Sequence, residues 1–116
     1  MKTWKQFLES KETIPLGDCF RFATELAIDM YTEGIIKTPI TVVHAMVHPK
    51  WHNRPYPHAW VESNNKCFDW QMRQTKVGNL PKKDFYREYN PTDVKTYTPT
   101  EAIRALVKNK HHGPWD

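Results

Sequence analysis

Three residues of this chain have the types and surroundings needed to break or exchange an amide bond: Cys19, His58 and Asp69. A thiol attacks a carbonyl carbon only as the thiolate, so it needs a lowered pKa or a neighbouring base. Cys19 follows Gly17-Asp18 at what reads as the start of a helix. Unpaired backbone N–H groups and the positive end of the helix dipole favour a negative sulfur there. Gly17 leaves room for close backbone approach, and the N–H of Cys19 can donate to an oxyanion. His58 opens a strand behind a proline-bounded loop and supplies the base. An imidazole base must be held in one tautomer and one orientation by a third group, for which Asp69 is the candidate.

Strand register decides whether Asp69 can reach. His58-Ala59-Trp60-Val61-Glu62 reads as one strand, Ser63-Asn64-Asn65-Lys66 as turn chemistry and Cys67-Phe68-Asp69-Trp70-Gln71 as the return strand. With Asn64-Asn65 as a two-residue turn, Ser63 faces Lys66, Trp60 faces Asp69 and His58 faces Gln71. Asp69 is then the diagonal neighbour of His58 on one face, about 7–8 Å away at the backbone, a gap that His and Asp side chains bridge. A four-residue loop keeps this register, whereas a three-residue loop turns Asp69 to the other face.

The elements that must position these groups are legible to different degrees. Asp18 is a good N-cap, Cys19, Phe22, Leu26 and Met30 repeat at helical spacing, and Gly34 fits the stop. Ile40 to His48, bounded by Pro39 and Pro49, is rich in β-branched residues and reads as a central strand. Thr3 and Gln6 form a capping box for a short first helix carrying Trp4, Phe7 and Leu8. Lys82 to Tyr89 reads as a helix and Val94 to Tyr97 as a strand. Thr98, Pro99 and Glu101 start a last helix with Ala102, Ile103, Leu106 and Val107 on its apolar face. The tail from His111 is expected to fray. Helices flanking an antiparallel sheet give an α+β architecture.

A chain of 116 residues is one domain, here residues 1–116, and 39% hydrophobic with 26% charged residues predicts a folded state. The net charge of +4 is spread out apart from Lys82-Lys83 and the Lys108–Lys110 region, which reads as solvated surface rather than a nucleic-acid footprint. No apolar run is long enough to span a membrane, and Met1 to Gln6 lacks the apolar core of a secretory signal. A cytoplasmic location is the expectation, with Cys19 and Cys67 as thiols. A Cys19–Cys67 disulfide is the rival reading and requires an oxidising compartment.

Two other clusters compete. His44, His48, His52 and His58 recur at short intervals, but zinc-binding His-x-x-x-His spacing needs a helix, and Val42-Val43 and Pro49 oppose one here. No metal and no cofactor are expected, although His44 or His48 can line a cleft beside His58. The loop from Pro49 to Pro57 carries Trp51, Arg54 and Tyr56. Such a mix can stack on nucleic-acid bases, pack its aromatics inward, or form a substrate-recognition loop.

Gly17-Asp18-Cys19 at a helix start, then His58-Ala59-Trp60-Val61-Glu62, then Asp69 after a short turn, resembles the transglutaminase-like branch of the papain-like cysteine enzymes. The His-Ala-Trp-Val-Glu string is the specific part. It is similar to transglutaminase-like proteases and to the leader peptidases of lasso-peptide biosynthesis, over roughly Asp18 to Gln71. The resemblance implies a small papain-like core, with Cys19 as nucleophile, His58 as base and later acid, and Asp69 as orienting group. It also implies acyl transfer through a thioester on a peptide or protein amide: hydrolysis, deamidation or transamidation. Trp51, Arg54 and Trp60 are the candidate substrate contacts. The chain departs from the family's pattern in three places. The spacing from His58 to Asp69 is short, Trp70-Gln71 follows Asp69 where a proline is usual, and Gln6 is the only glutamine ahead of Cys19. A partner protein completing the site fits so small a chain. The competing function is a non-catalytic module on the same fold, binding protein or nucleic acid. A reactive Cys19 separates the two.

Overall fold

The computed structural model describes residues 19–34, 39–51, 53–69 and 79–115. The helix expected around Thr3, together with Gly17, Asp18, His52 and Gln71, lies outside them.

Helix α1 spans Cys19–Glu33 and ends at Gly34, which takes the left-handed φ of +63° that a β-carbon disfavours. Its buried side holds Phe20, Phe22, Ala23, Leu26, Ala27 and Met30. This is the 3.6-residue periodicity of one face against a sheet. Four strands and a helix follow in the order β1 (Thr41–Val47), β2 (Tyr56–Ser63), β3 (Lys66–Phe68), β4 (Asn79–Pro81) and α2 (Lys82–Tyr89). Strand β5 (Thr92–Tyr97) and helix α3 (Pro99–Asn109) complete the chain. The strands form one sheet in the order β4-β3-β2-β1-β5 with every neighbouring pair antiparallel. The protein is therefore a small α+β fold with three helices on a five-stranded sheet among the described residues.

Both faces of the sheet are covered, which is why β1 and β2 read as nearly continuous apolar runs rather than alternating ones. On one face Val42, Ala59, Val61 and Phe68 pack with α1 and with Ala102 of α3. On the other, Val43, Ala45, Val47, Trp60 and Cys67 pack with Phe85 and Tyr89 of α2. The half-buried Glu62 ties the second layer together. Its Oε2 accepts from Trp60 Nε1 at 2.9 Å, Tyr86 Oη at 2.6 Å and Cys67 Sγ at 3.9 Å, and Lys82 Nζ lies 3.3 Å from Oε1. One carboxylate thus links β2, β3 and α2.

The hairpin joining β2 to β3 has the two-residue turn on which the register argument depends. Ser63 pairs with Lys66 and Val61 with Phe68. Asn64 and Asn65 take φ of 53° and 60°, the positive pair of a type I′ turn. Glycine suits the second position better than asparagine. Asn65→Gly is expected to raise stability by about 0.5–1 kcal/mol, read as a higher urea midpoint at unchanged slope.

Three expectations need correction. β2 begins at Tyr56, two residues before the expected start, because Tyr56 and Pro57 still pair with Val47 and Met46. Val107 is 71% exposed, so the apolar side of α3 runs through Ala102, Ala105 and Leu106 instead. The C-terminal tail does not fray. Lys110 turns the chain at φ 60° and Gly113 at φ 117°, and Trp115 returns to the core with 4% exposure. Its indole N–H donates to the His111 carbonyl at 2.8 Å, and Thr24 donates to the His112 carbonyl at 3.3 Å.

Candidate functional site

Asp69 follows the last β3 residue and lies on the predicted side of the hairpin. Its Oδ2 is 2.9 Å from Nε2 of His58. The two side chains are 0% and 2% exposed, so the pair is dry. The Cys19 thiol hydrogen-bonds the same imidazole. Because Nε2 is engaged by Asp69, Nδ1 is the nitrogen left for sulfur. The structure thus brings Cys19 from α1, His58 from β2 and Asp69 from the end of β3 into one chain of contacts.

Electrostatics around His58 are lopsided. Burial alone pulls an imidazole towards its neutral form. The Asp69 charge and hydrogen bond, with the Cys19 contact added, outweigh that and hold His58 at about 10. His58 is therefore protonated across the neutral range. An imidazolium held beside a thiol stabilises the thiolate that forms when the thiol loses its proton to solvent.

Aromatic rings box the imidazole in. Tyr89 stacks on it with centroids 5.5 Å apart and planes 8° from parallel, Tyr56 stands edge-on at 5.7 Å, and Trp60 is tilted at 6.0 Å. The Tyr89 hydroxyl also hydrogen-bonds the Asp69 carboxylate, and burial together with that charge raises its pKa. Tyr89 therefore touches both members of the His–Asp pair, stacking on one and hydrogen-bonding the other. Sequence reasoning missed it. The signal was the Phe85-to-Tyr89 helical spacing, but which strand residues that face covers is a tertiary fact.

The other predicted residues divide. Trp51 is 57% exposed and meets the Tyr89 ring edge-on at 5.8 Å, so it does not plug the core and stands two rings from His58. Arg54 is exposed on the same loop. Trp60 is a correction: it is fully buried, with Phe85 against its ring and its N–H on Glu62. It supports the strand and is not available to line a cleft. Cys19 and Cys67 are both free thiols, the first half-buried and the second fully buried. Burial and the neighbouring Glu62 push the Cys67 thiol far up, away from reactivity.

The histidines do not converge. His44 pairs with Ala59 and packs against Phe20, whereas Ala45 pairs with His58, so the two rings belong to opposite faces of the sheet. His48 meets Thr92 Oγ1 at 2.9 Å. Among the described residues no three His, Cys, Asp or Glu side chains gather as a metal site would need. No described helix is long and apolar enough to cross a membrane.

No protein-family model, no curated protein and no solved structure matches this chain.

Proposed function

We propose that this protein is a cysteine-dependent acyl-transfer enzyme acting on a peptide or protein amide, built on a papain-like core of the transglutaminase-like type. The supporting observation is the continuous contact from Asp69 through His58 to Cys19, with His58 held protonated. Cys19 sulfur attacks the amide carbonyl carbon, forming a C–S bond and placing the negative charge on oxygen. The His58 imidazolium gives its proton to the departing nitrogen as the C–N bond breaks, leaving a thioester. Water or an amine then attacks the thioester while His58 accepts its proton, and the Cys19 thiolate leaves. Asp69 keeps the imidazole oriented through both halves.

The test uses the second cysteine as an internal control. At pH 6, iodoacetamide is expected to alkylate Cys19 at least about a hundredfold faster than Cys67, since one sulfur has an imidazolium beside it and the other is sealed in an apolar layer. Peptide mapping of the modified protein gives both rates. Equal rates, or a Cys19 as inert as Cys67, would refute the acyl-transfer reading and leave a non-catalytic binding module.

A further inference from the structure

Helix α2 buries two of its residues, Phe85 and Tyr89, one turn apart on the side that packs against the sheet. Packing there asks only for aromatic area, which phenylalanine supplies at position 85. Tyrosine at position 89 adds a hydroxyl to a layer closed to water, where a polar group without a partner is costly. The residue is 5% exposed, and its hydroxyl is engaged by the Asp69 carboxylate. Three contacts fix the ring in place. Phe85 stacks on it with centroids 4.3 Å apart and planes 20° from parallel, and Trp51 meets it edge-on. The Tyr89 backbone carbonyl accepts from the His48 N–H at 2.7 Å, which fastens the end of α2 to the chain leaving β1.

The pair that Tyr89 touches has a weakness. A dry imidazolium–carboxylate pair can relieve its charges by passing the shared proton to oxygen, leaving a neutral imidazole and a neutral acid. Asp69 is fully buried, and its Oδ1 makes no hydrogen bond. Donors to the carboxylate favour its ionised form, so each one counts. The Tyr89 hydroxyl is such a donor, and burial together with the Asp69 charge keeps its own proton on oxygen far above neutral pH. The ring acts in the same direction. An aromatic face attracts a cation within about 6 Å of its centre, and the His58 ring lies 5.5 Å away and almost parallel.

We propose that Tyr89 is a positioning residue for the acyl-transfer reaction: its hydroxyl keeps Asp69 ionised and its ring fixes the plane of His58, so that the shared proton stays on nitrogen beside Cys19. The inference rests on the acyl-transfer reading of Cys19. The other titratable groups facing Tyr89 are Tyr56 from β2 and Glu88 from α2 itself. Both are unchanged in the variant that tests the proposal, so neither contributes to the difference it reads.

Tyr89→Phe removes the hydroxyl and keeps the ring. Nitrogen-15 NMR of His58 reads where the shared proton resides. At pH 7 both ring nitrogens of the native protein are expected to be protonated, and in Tyr89→Phe their signals are expected to move towards those of neutral imidazole. Iodoacetamide alkylation of Cys19 at pH 6 is expected to slow by about tenfold, the scale of one hydrogen bond to a charged group. A hydroxyl with a merely structural role would lower Tm on removal and leave the His58 signals where they are. Unmoved signals with native alkylation rates overturn the proposal, while the acyl-transfer reading stands. Neutral His58 nitrogens in the native protein overturn it as well. If the variant fails to fold, the unaltered protein decides. Its Tyr89 hydroxyl proton is expected as a slowly exchanging resonance, and rapid exchange with water overturns the proposal. A native Cys19 as inert to iodoacetamide as Cys67 overturns both readings.

Discussion

Cys19→Ala is expected to abolish covalent capture by peptide vinyl-sulfone probes. With a turnover substrate it is expected to lower kcat by about a thousandfold or more, the scale on which removing a nucleophile acts. Nothing else in the described structure can substitute. The other thiol, Cys67, is fully buried against Glu62. The fold should persist, because Cys19 is half-buried at the end of a helix and alanine is the best helix former. Thermal unfolding should therefore change little, by about 1 kcal/mol or less. Turnover retained in the variant would assign the reaction to another residue.

Asp69→Asn is expected to produce the second largest effect, by a different route. The amide oxygen can still accept from Nε2 of His58, so the hairpin geometry survives, but the charge that supports the imidazolium is gone. Turnover should fall by about a hundredfold, less than for Cys19→Ala, and the pH above which His58 loses its proton should move down from about 10. The same substitution has a signature in stability. His58 in the folded chain sits above its ordinary value of 6.5, so between 6.5 and about 10 the folded state holds a proton that the unfolded state has released. Stability then falls as pH rises through that window and is fully present only below it. Urea denaturation at pH 6, 8 and 10 should show the native protein losing more stability than Asp69→Asn over this range. Parallel losses would mean that Asp69 does not hold the His58 proton.

The parts of the site that could be read from the sequence are those fixed by local rules. Asn64-Asn65 permits a two-residue turn, that turn dictates Ser63 opposite Lys66, and alternation then carries Asp69 to the face of His58. Helix α1 was equally local, from Cys19 at helical spacing with Phe22, Leu26 and Met30 to the stop at Gly34. The Thr98–Glu101 capping box formed as its residue types require, with Thr98 Oγ1 accepting from the Glu101 N–H at 3.1 Å. The misses were tertiary. Trp60 looked like a substrate contact because it neighbours His58 in sequence, yet α2 covers its face of the sheet and Glu62 takes its N–H. Nothing local says that Tyr89 stacks on His58. Nothing in His111 to Trp115 announces that a polar tail doubles back, since the space it fills is defined by Phe20 and His44 from distant elements.

The separation along the chain of the three grouped side chains has a consequence for folding. His58 and Asp69 are eleven residues apart within a single hairpin. Short loops close fast, and a hairpin of this kind forms in about 1–10 µs. Cys19 belongs to a helix that must dock across a longer closure, which costs more chain entropy and comes later. Contact between the imidazole and the carboxylate is thus the shorter closure, and contact with sulfur the longer one. Reactivity therefore arises only in molecules whose helix has docked. Alkylation of Cys19 consequently reports the docked population, and its rate through a denaturant titration follows the fraction of fully assembled protein even where hairpin signals persist.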